Sequence, residues 1–142
     1  PPGITTQFDP VTWIDHARDQ ELIDFLLEHG ETRGYTNYWV QMPIAFLSSE
    51  RIISAARLPY HLDLGYTPRD DRYPPYTQAA REAPHAFYIT VNHPPLEALL
   101  RERLTALDVV FQEQTIGNYH VFYGLSRKVE PEELDLADKL SR

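Results

Sequence analysis

The sequence contains no cysteine, which excludes thiol catalysis, disulfide frameworks and cysteine-ligated zinc or iron–sulfur sites. Positive charge is also scarce, because 13 Lys and Arg residues stand against 21 Asp and Glu residues and the formal net charge is −8. An acidic chain lacks the cationic surface on which nonspecific nucleic-acid binding and docking to anionic lipid depend. No apolar run approaches the roughly 18 residues that cross a bilayer.

Several motifs of common enzymes are missing as well. The sequence has neither G-x-G-x-x-G nor G-x-x-x-x-G-K-[ST], which cradle phosphates, nor the G-x-S-x-G turn of many hydrolases. His61 and Asp63 could bind a metal or form a base with its orienting acid, or they could be an ordinary hydrogen-bonded loop pair. We assign no catalytic residue, metal ligand or cofactor from the sequence.

Helical and strand patterns alternate along the 142 residues, which is typical of a largely parallel sheet covered by helices. We predict a single α/β domain over residues 1–142, with a mostly parallel sheet of about five strands flanked by helices. A C-terminal β-hairpin is expected around Gly117 and Asn118. The predicted strands cover residues 34–40, 51–56, 86–91, 108–115 and 119–125, with 86–91 in the centre. The predicted helices cover residues 19–29, 43–49 and 77–83 and a segment that follows Pro94.

The most unusual segment is the stretch over residues 58–76, which we call the 58–76 loop. It contains four Pro and four Tyr residues in 19 positions, a composition that long regular elements do not have. Tyr rings stack on sugar rings, and Arg side chains bind phosphate or carboxylate in a two-pronged way. The candidate substrate-binding residues are Tyr60, Arg69, Arg72, Tyr73 and Tyr76. In the alternative interpretation the Tyr rings only pack the loop onto the sheet.

Three segments resemble a known family. They read GYTNYW over residues 34–39, FLSSERI over residues 46–52 and RYPPY over residues 72–76. The chain resembles the C-terminal soluble extracytoplasmic domain of bacterial membrane glycosyltransferases in the dolichyl-phosphate-mannose–protein mannosyltransferase superfamily. Those proteins commonly have G-Y-A-D-Y-W, F-L-S-G-E-R-I and R-Y-P-P-Y at these places. Asn37 replaces the usual Asp here, and Ser49 replaces the usual Gly.

The resemblance implies a domain cut from the C-terminus of a longer membrane protein that transfers sugar from a polyprenyl-phosphate carrier. The partners it implies are the transmembrane body of the same polypeptide and a lipid-linked sugar or an acceptor, with no nucleic acid. It also implies a place on the extracytoplasmic face of the bacterial cell membrane. Catalytic acids of such enzymes lie in the membrane body, so this chain alone is expected to have no transferase activity.

Two other functions stay open at this point. The chain could be a free-standing α/β enzyme or ligand-binding domain that uses the 58–76 loop, or it could be a soluble protein-interaction module. The full-length reading frame separates these cases, because only the glycosyltransferase interpretation requires transmembrane helices in the same polypeptide.

Overall fold

The computed structural model describes residues 18–58 and 74–134, which form four α-helices and five strands. The helices are α1 (Asp19–Glu28), α2 (Tyr38–Leu47), α3 (Pro74–Glu82) and α4 (Pro94–Ala106). The strands are β1 (Arg33–Thr36), β2 (Ile53–Ala56), β3 (Phe87–Val91), β4 (Gln112–Ile116) and β5 (Tyr119–Tyr123). A short 3₁₀ helix, Pro131–Leu134, follows β5. The α/β class and the C-terminal hairpin between β4 and β5 are therefore confirmed.

The sheet is mixed, and the prediction of a mostly parallel sheet is wrong. Its strand order is β2-β1-β3-β5-β4, with β3 in the centre as predicted. The pairs β1–β2 and β1–β3 are parallel, whereas β3–β5 and β4–β5 are antiparallel. The two-residue turn at Gly117 and Asn118 folds β5 back between β3 and β4. As a result both antiparallel pairs of the sheet, β3–β5 and β4–β5, involve β5.

The first strand is shorter than its composition suggests. The aromatic and β-branched run over residues 34–40 predicts a strand, but β1 ends at Thr36 and α2 begins at Tyr38. Asn37 lies between them, and its Oδ1 accepts a hydrogen bond from the backbone N–H of Val40 at 3.1 Å. Because this is the bond that an N-terminal cap makes, Asn37 starts a helix where the β propensity of its neighbours favours a strand.

Helices cover both faces of the sheet and divide the core in two. On one face α1 and α2 bury Leu22, Leu26 and Ile44 against the sheet. On the other face α3 and α4 bury Ala80 and Leu100. All five residues of β3 are buried, as expected of a central strand that is covered from both sides.

The chain after β5 returns across the second face and closes over two Tyr side chains. The rings of Tyr35 and Tyr88 lie 5.4 Å apart between centroids. The Tyr88 hydroxyl donates to the carbonyl of Val129 at 2.7 Å, and the Tyr35 hydroxyl donates to Glu130. Burial and the neighbouring Glu130 carboxylate raise the pKa of Tyr35 well above its ordinary value. Tyr35 therefore stays a protonated hydrogen-bond donor and packs in the core.

Three of the helices end in the same way. The residue after the C-terminal cap has a left-handed backbone, with φ of 69° at Gly30, 54° at Ser49 and 58° at Asp108. In each case the next residue's amide donates to the carbonyl five positions earlier, at 2.7 to 3.0 Å. This is the Schellman arrangement, in which glycine is the preferred residue because it has no Cβ to oppose the left-handed conformation.

These three positions make a matched test of backbone strain. Replacing Ser49 or Asp108 by Gly should raise the free energy of unfolding by about 0.5–1 kcal/mol. The free energy gained by removing the backbone strain exceeds the extra conformational entropy that glycine loses on folding. Gly30→Ala should lower it by about 1 kcal/mol, even though a Cβ at Gly30 would have no atom within 4 Å. Urea denaturation at neutral pH measures all three, and a destabilised Ser49→Gly variant would contradict the argument.

Candidate functional site

A groove of about 570 Å³ lies between the C-terminal half of α2 and the start of α3, and we call it the α2–α3 groove. Its volume is in the range of small-ligand sites, roughly 300–1,000 Å³. The residues that line it are Met42, Ala45, Phe46, Ser49, Glu50 and Tyr76. The groove therefore combines an apolar wall with two hydroxyl groups and one carboxylate.

The groove is located at the β2 edge of the sheet. Both α2 and α3 pack against β2, although they belong to opposite faces. The hydroxyl of Tyr76 on α3 donates to Oε2 of Glu50, in the turn after α2, at 2.8 Å. This bond joins the two helical layers, and it also fixes the direction of the Glu50 carboxylate.

The wall of the groove belongs to a helix that is apolar on its outer side too. The sequence of α2, YWVQMPIAFL, contains no charged residue. Phe46 is 81% exposed, Leu47 49% and Met42 46%, while Ile44 on the inner side is buried. Single exposed apolar side chains are ordinary, but a cluster of three beside a groove is typical of a binding surface.

The turn that carries Glu50 is held by hydrogen bonds on both sides. The buried Ser48 hydroxyl accepts from the backbone N–H of Ile52 at 3.0 Å, and Arg51 Nε donates to the Ser48 carbonyl at 3.1 Å. Ser49 and Glu50 both have positive φ. Consecutive left-handed residues with side chains are sterically unfavourable, and such positions cluster at functional sites. Glu50, whose side chain lines the groove, belongs to this constrained turn.

One of the five predicted substrate-binding residues lies in this groove. Tyr76 lies in the first turn of α3, which begins at Pro74, so the prediction of a loop is wrong for residues 74–76. Tyr76 is buried, and its hydroxyl contacts Glu50. The other four, Tyr60, Arg69, Arg72 and Tyr73, lie outside the described residues, as do His61 and Asp63. The role assigned to the 58–76 loop as a whole therefore stays a prediction.

Sequence reasoning did not single out Phe46 and Glu50 as site residues. Both belong to the FLSSERI segment that carries the family resemblance, and Tyr76 belongs to RYPPY. The only available signal was the shared resemblance of two segments separated by about two dozen residues. Their contact depends on tertiary structure, because no local pattern brings α3 to the end of α2.

The carboxyl edge of the parallel strands is a second place to look for a site. The chain leaves β1 toward one face and β3 toward the other, and ligands of α/β sheets commonly bind at such a point. Asn37 and His93 lie there, and both are buried. His93 Nδ1 accepts from the backbone N–H of Leu96 at 3.1 Å, as Asn37 does from Val40. Both side chains thus start helices, so the α2–α3 groove is the stronger candidate.

A polar cluster near the opposite edge joins β4, β5 and α4. His120 Nε2 lies 2.7 Å from Oε1 of Glu113, and His120 Nδ1 lies 2.9 Å from Oγ1 of Thr115. Arg101 on α4 donates to both oxygens of Glu113 at 2.7 and 3.1 Å. The Arg101 hydrogen bond, aided by His120 and opposed by burial, lowers the pKa of Glu113. The cluster clamps the edge strand to the helix.

The clamp has a consequence for stability at acid pH. Because the folded-state pKa of Glu113 is depressed, its contribution is present above the usual glutamate pKa of about 4.3 and is lost as pH falls through the lower folded value. Arg101→Gln should flatten the decline of unfolding free energy below about pH 5, by less than about 1 kcal/mol because the pair is partly exposed. Urea denaturation from neutral to acid pH measures this.

A suitable control is Arg33→Gln, since Arg33 donates to the backbone carbonyls of Thr32 and Arg51 instead of to a carboxylate. This variant should retain the wild-type acid decline. Identical pH profiles for the wild type and Arg101→Gln would show that the ion pair does not act on stability.

The groove's central hydrogen bond gives a further prediction. Tyr76→Phe removes the hydroxyl and keeps the ring, so it should lower the free energy of unfolding by about 1 kcal/mol. Glu50→Gln keeps an acceptor oxygen and should be closer to the wild type. Tyr76→Ala also loses the buried ring and should cost about 3–5 kcal/mol. Chemical denaturation tests the series, and a Tyr76→Phe variant as stable as the wild type would contradict it.

Comparison with known proteins finds no matching family model, no matching curated protein and no matching solved structure. Within residues 18–58 and 74–134, no group of three or more His, Asp or Glu side chains could hold a metal ion. The helices in that part of the chain are all too short or too polar to cross a membrane. The site has to be interpreted from its own chemistry and from the motifs of the sequence.

Proposed function

We propose that this chain is an accessory extracytoplasmic domain of a membrane glycosyltransferase that takes sugar from a polyprenyl-phosphate carrier. The observation that carries the proposal is the hydrogen bond between Tyr76 and Glu50. It brings two of the three resembling segments into one groove, although they are far apart in the sequence. Motifs that meet at a surface groove are expected when they serve a common function.

Two positions of these segments support the same proposal from backbone geometry. Gly34 pairs with Phe87 in the register of β1 and β3, and a Cβ at Gly34 would lie 2.4 Å from the Phe87 carbonyl oxygen. Only glycine fits there. Position 49 has a left-handed backbone, which favours the glycine that the family usually has. The family pattern thus agrees with the physical requirements of this fold at both places.

The uncharged outer side of α2 suggests how the domain serves the enzyme. Met42, Phe46 and Leu47 offer an apolar surface beside the groove. A transmembrane body of the same polypeptide that packs on this surface at Leu47, which does not line the groove, would leave Met42 and Phe46 open to a ligand and bring the groove close to the reacting sugars. In this arrangement the domain contacts substrate or steadies the membrane part, and the catalytic acids belong to the membrane body.

The proposal is tested with the full-length protein reconstituted in lipid and supplied with a polyprenyl-phosphate sugar. We expect sugar transfer by the full-length protein and none by the 142-residue chain alone. The Arg69→Ala/Arg72→Ala double variant should transfer sugar more slowly while the melting temperature of the isolated chain stays nearly unchanged. If the Arg side chains bind phosphate, removing them affects the reaction and not the core.

Two results would refute the proposal. One is transfer of sugar from a lipid-phosphate donor by the isolated chain, and the other is a full-length reading frame that encodes no transmembrane helix. Full activity of the double Arg variant would reject the contact role of the 58–76 loop and leave the rest of the proposal standing.

A ligand-binding domain without a membrane part is the second candidate, and the α2–α3 groove favours it over a pure interaction module. Under that alternative, ligand binding would be the whole function, and the apolar side of α2 would need no membrane partner. The reading frame again separates the two.

A further inference from the structure

We infer that the α2–α3 groove binds an uncharged sugar ring, of the kind an acceptor presents, and not the phosphate-bearing end of the donor. The choice of sugars rests on the proposed function. The distinction between a neutral and an anionic ligand rests only on the residues that line the groove.

The apolar wall suits one side of a sugar ring. A pyranose presents C–H groups on its faces and hydroxyl groups around its rim, so its sites need an apolar platform beside hydrogen-bonding groups. Phe46 is the most exposed of the large apolar side chains described, and Met42 lies one helical turn before it. An aromatic ring is a large contact surface that loses little conformational entropy when a ligand covers it.

The polar side of the groove suits the hydroxyl groups on the rim of a sugar ring. The Glu50 carboxylate accepts hydrogen bonds and donates none when it is ionised. Its Oε2 is occupied by the Tyr76 hydroxyl, and its Oε1 makes no hydrogen bond with the rest of the described chain. Ser49 adds a hydroxyl that can both donate and accept. Sugar hydroxyls would donate to Oε1, and the Tyr76 bond holds that oxygen in place.

The charge of the groove distinguishes an uncharged sugar ring from a phosphate as its ligand. Among the described residues that line the groove, Glu50 alone is charged, and its charge is negative. The chain as a whole has a net charge of −8. A phosphate in the groove would be repelled at short range by the carboxylate and would find no described cation there. A neutral sugar ring meets no such penalty, so the described lining discriminates in favour of an uncharged ring over a phosphate.

The test uses the 142-residue chain, uncharged methyl hexosides and the corresponding hexose phosphates, with binding followed by amide chemical shifts in NMR. We expect at least one methyl hexoside to shift the amides of residues 42–50 and of Tyr76. Its phosphate counterpart should bind about tenfold more weakly. Glu50→Gln should weaken binding of the hexoside and reduce the ratio of its affinity to that of the hexose phosphate.

Two matched variants separate a site from a general surface effect. Phe46→Ala removes the platform and should lower hexoside affinity about tenfold. Val110→Ala also truncates an exposed apolar side chain, 71% exposed and outside the groove, and should leave the affinity unchanged. Neither residue is buried, so both variants should keep the wild-type spectrum elsewhere.

The inference is overturned if no methyl hexoside shifts the groove amides, or if the hexose phosphate binds as well as its neutral counterpart. Equal losses in Phe46→Ala and Val110→Ala would overturn it too. These outcomes are distinct from failure of the proposed function. If the chain binds hexosides but the full-length protein has no transferase activity, the inference about the groove stands and the proposed glycosyltransferase function is refuted.

Discussion

The close pairing of β1 with β3 is the constraint on which the rest of the fold depends. Gly34 lies against Phe87 so tightly that a Cβ at Gly34 would be 2.4 Å from both the ring and the carbonyl oxygen of Phe87. β3 is buried on both faces, pairs in parallel with β1 and pairs antiparallel with β5. The parallel and the antiparallel halves of the sheet therefore meet at this one strand, and neither half could form its core without it.

β2 and β4 are the edges of the sheet, and the chain packs against them differently. At β4, Arg101 donates to Glu113 and His120 contacts it, which ties the strand to α4 although most of its side chains stay exposed. At β2, Tyr76 of α3 meets Glu50 of the turn after α2, and the strand is largely buried. Unpaired strand edges invite association, so the burial of β2 has a structural purpose. The β2 edge differs in that its cover leaves a groove with an exposed aromatic wall, which is why we place function there.

The elements with strong local signals were predicted well. Gly30 ends α1 where glycine commonly ends helices, and Gly117 with Asn118 forms the predicted hairpin turn. The failures occurred where local signals competed. Asn37 starts a helix within a run of strand-forming residues, and its cap on the Val40 amide favours the helix over the strand that their propensity predicts. The turn predicts that β4 and β5 pair antiparallel, but no local signature tells which hairpin strand pairs with β3, so the mixed order of the sheet could not be predicted.

The sequence by itself determined the α/β class, the central strand, the C-terminal hairpin, the absence of cysteine chemistry and the acidic net charge. Periodicity, turn residues and composition act over a few residues, so they can be recognised without a fold. Only the tertiary structure decided that β5 separates β3 from β4, that Ser49 and Glu50 are left-handed, and that Tyr76 reaches Glu50. Each of these depends on contacts between segments distant in the chain, which are selected by the packing of whole layers and not by any one segment.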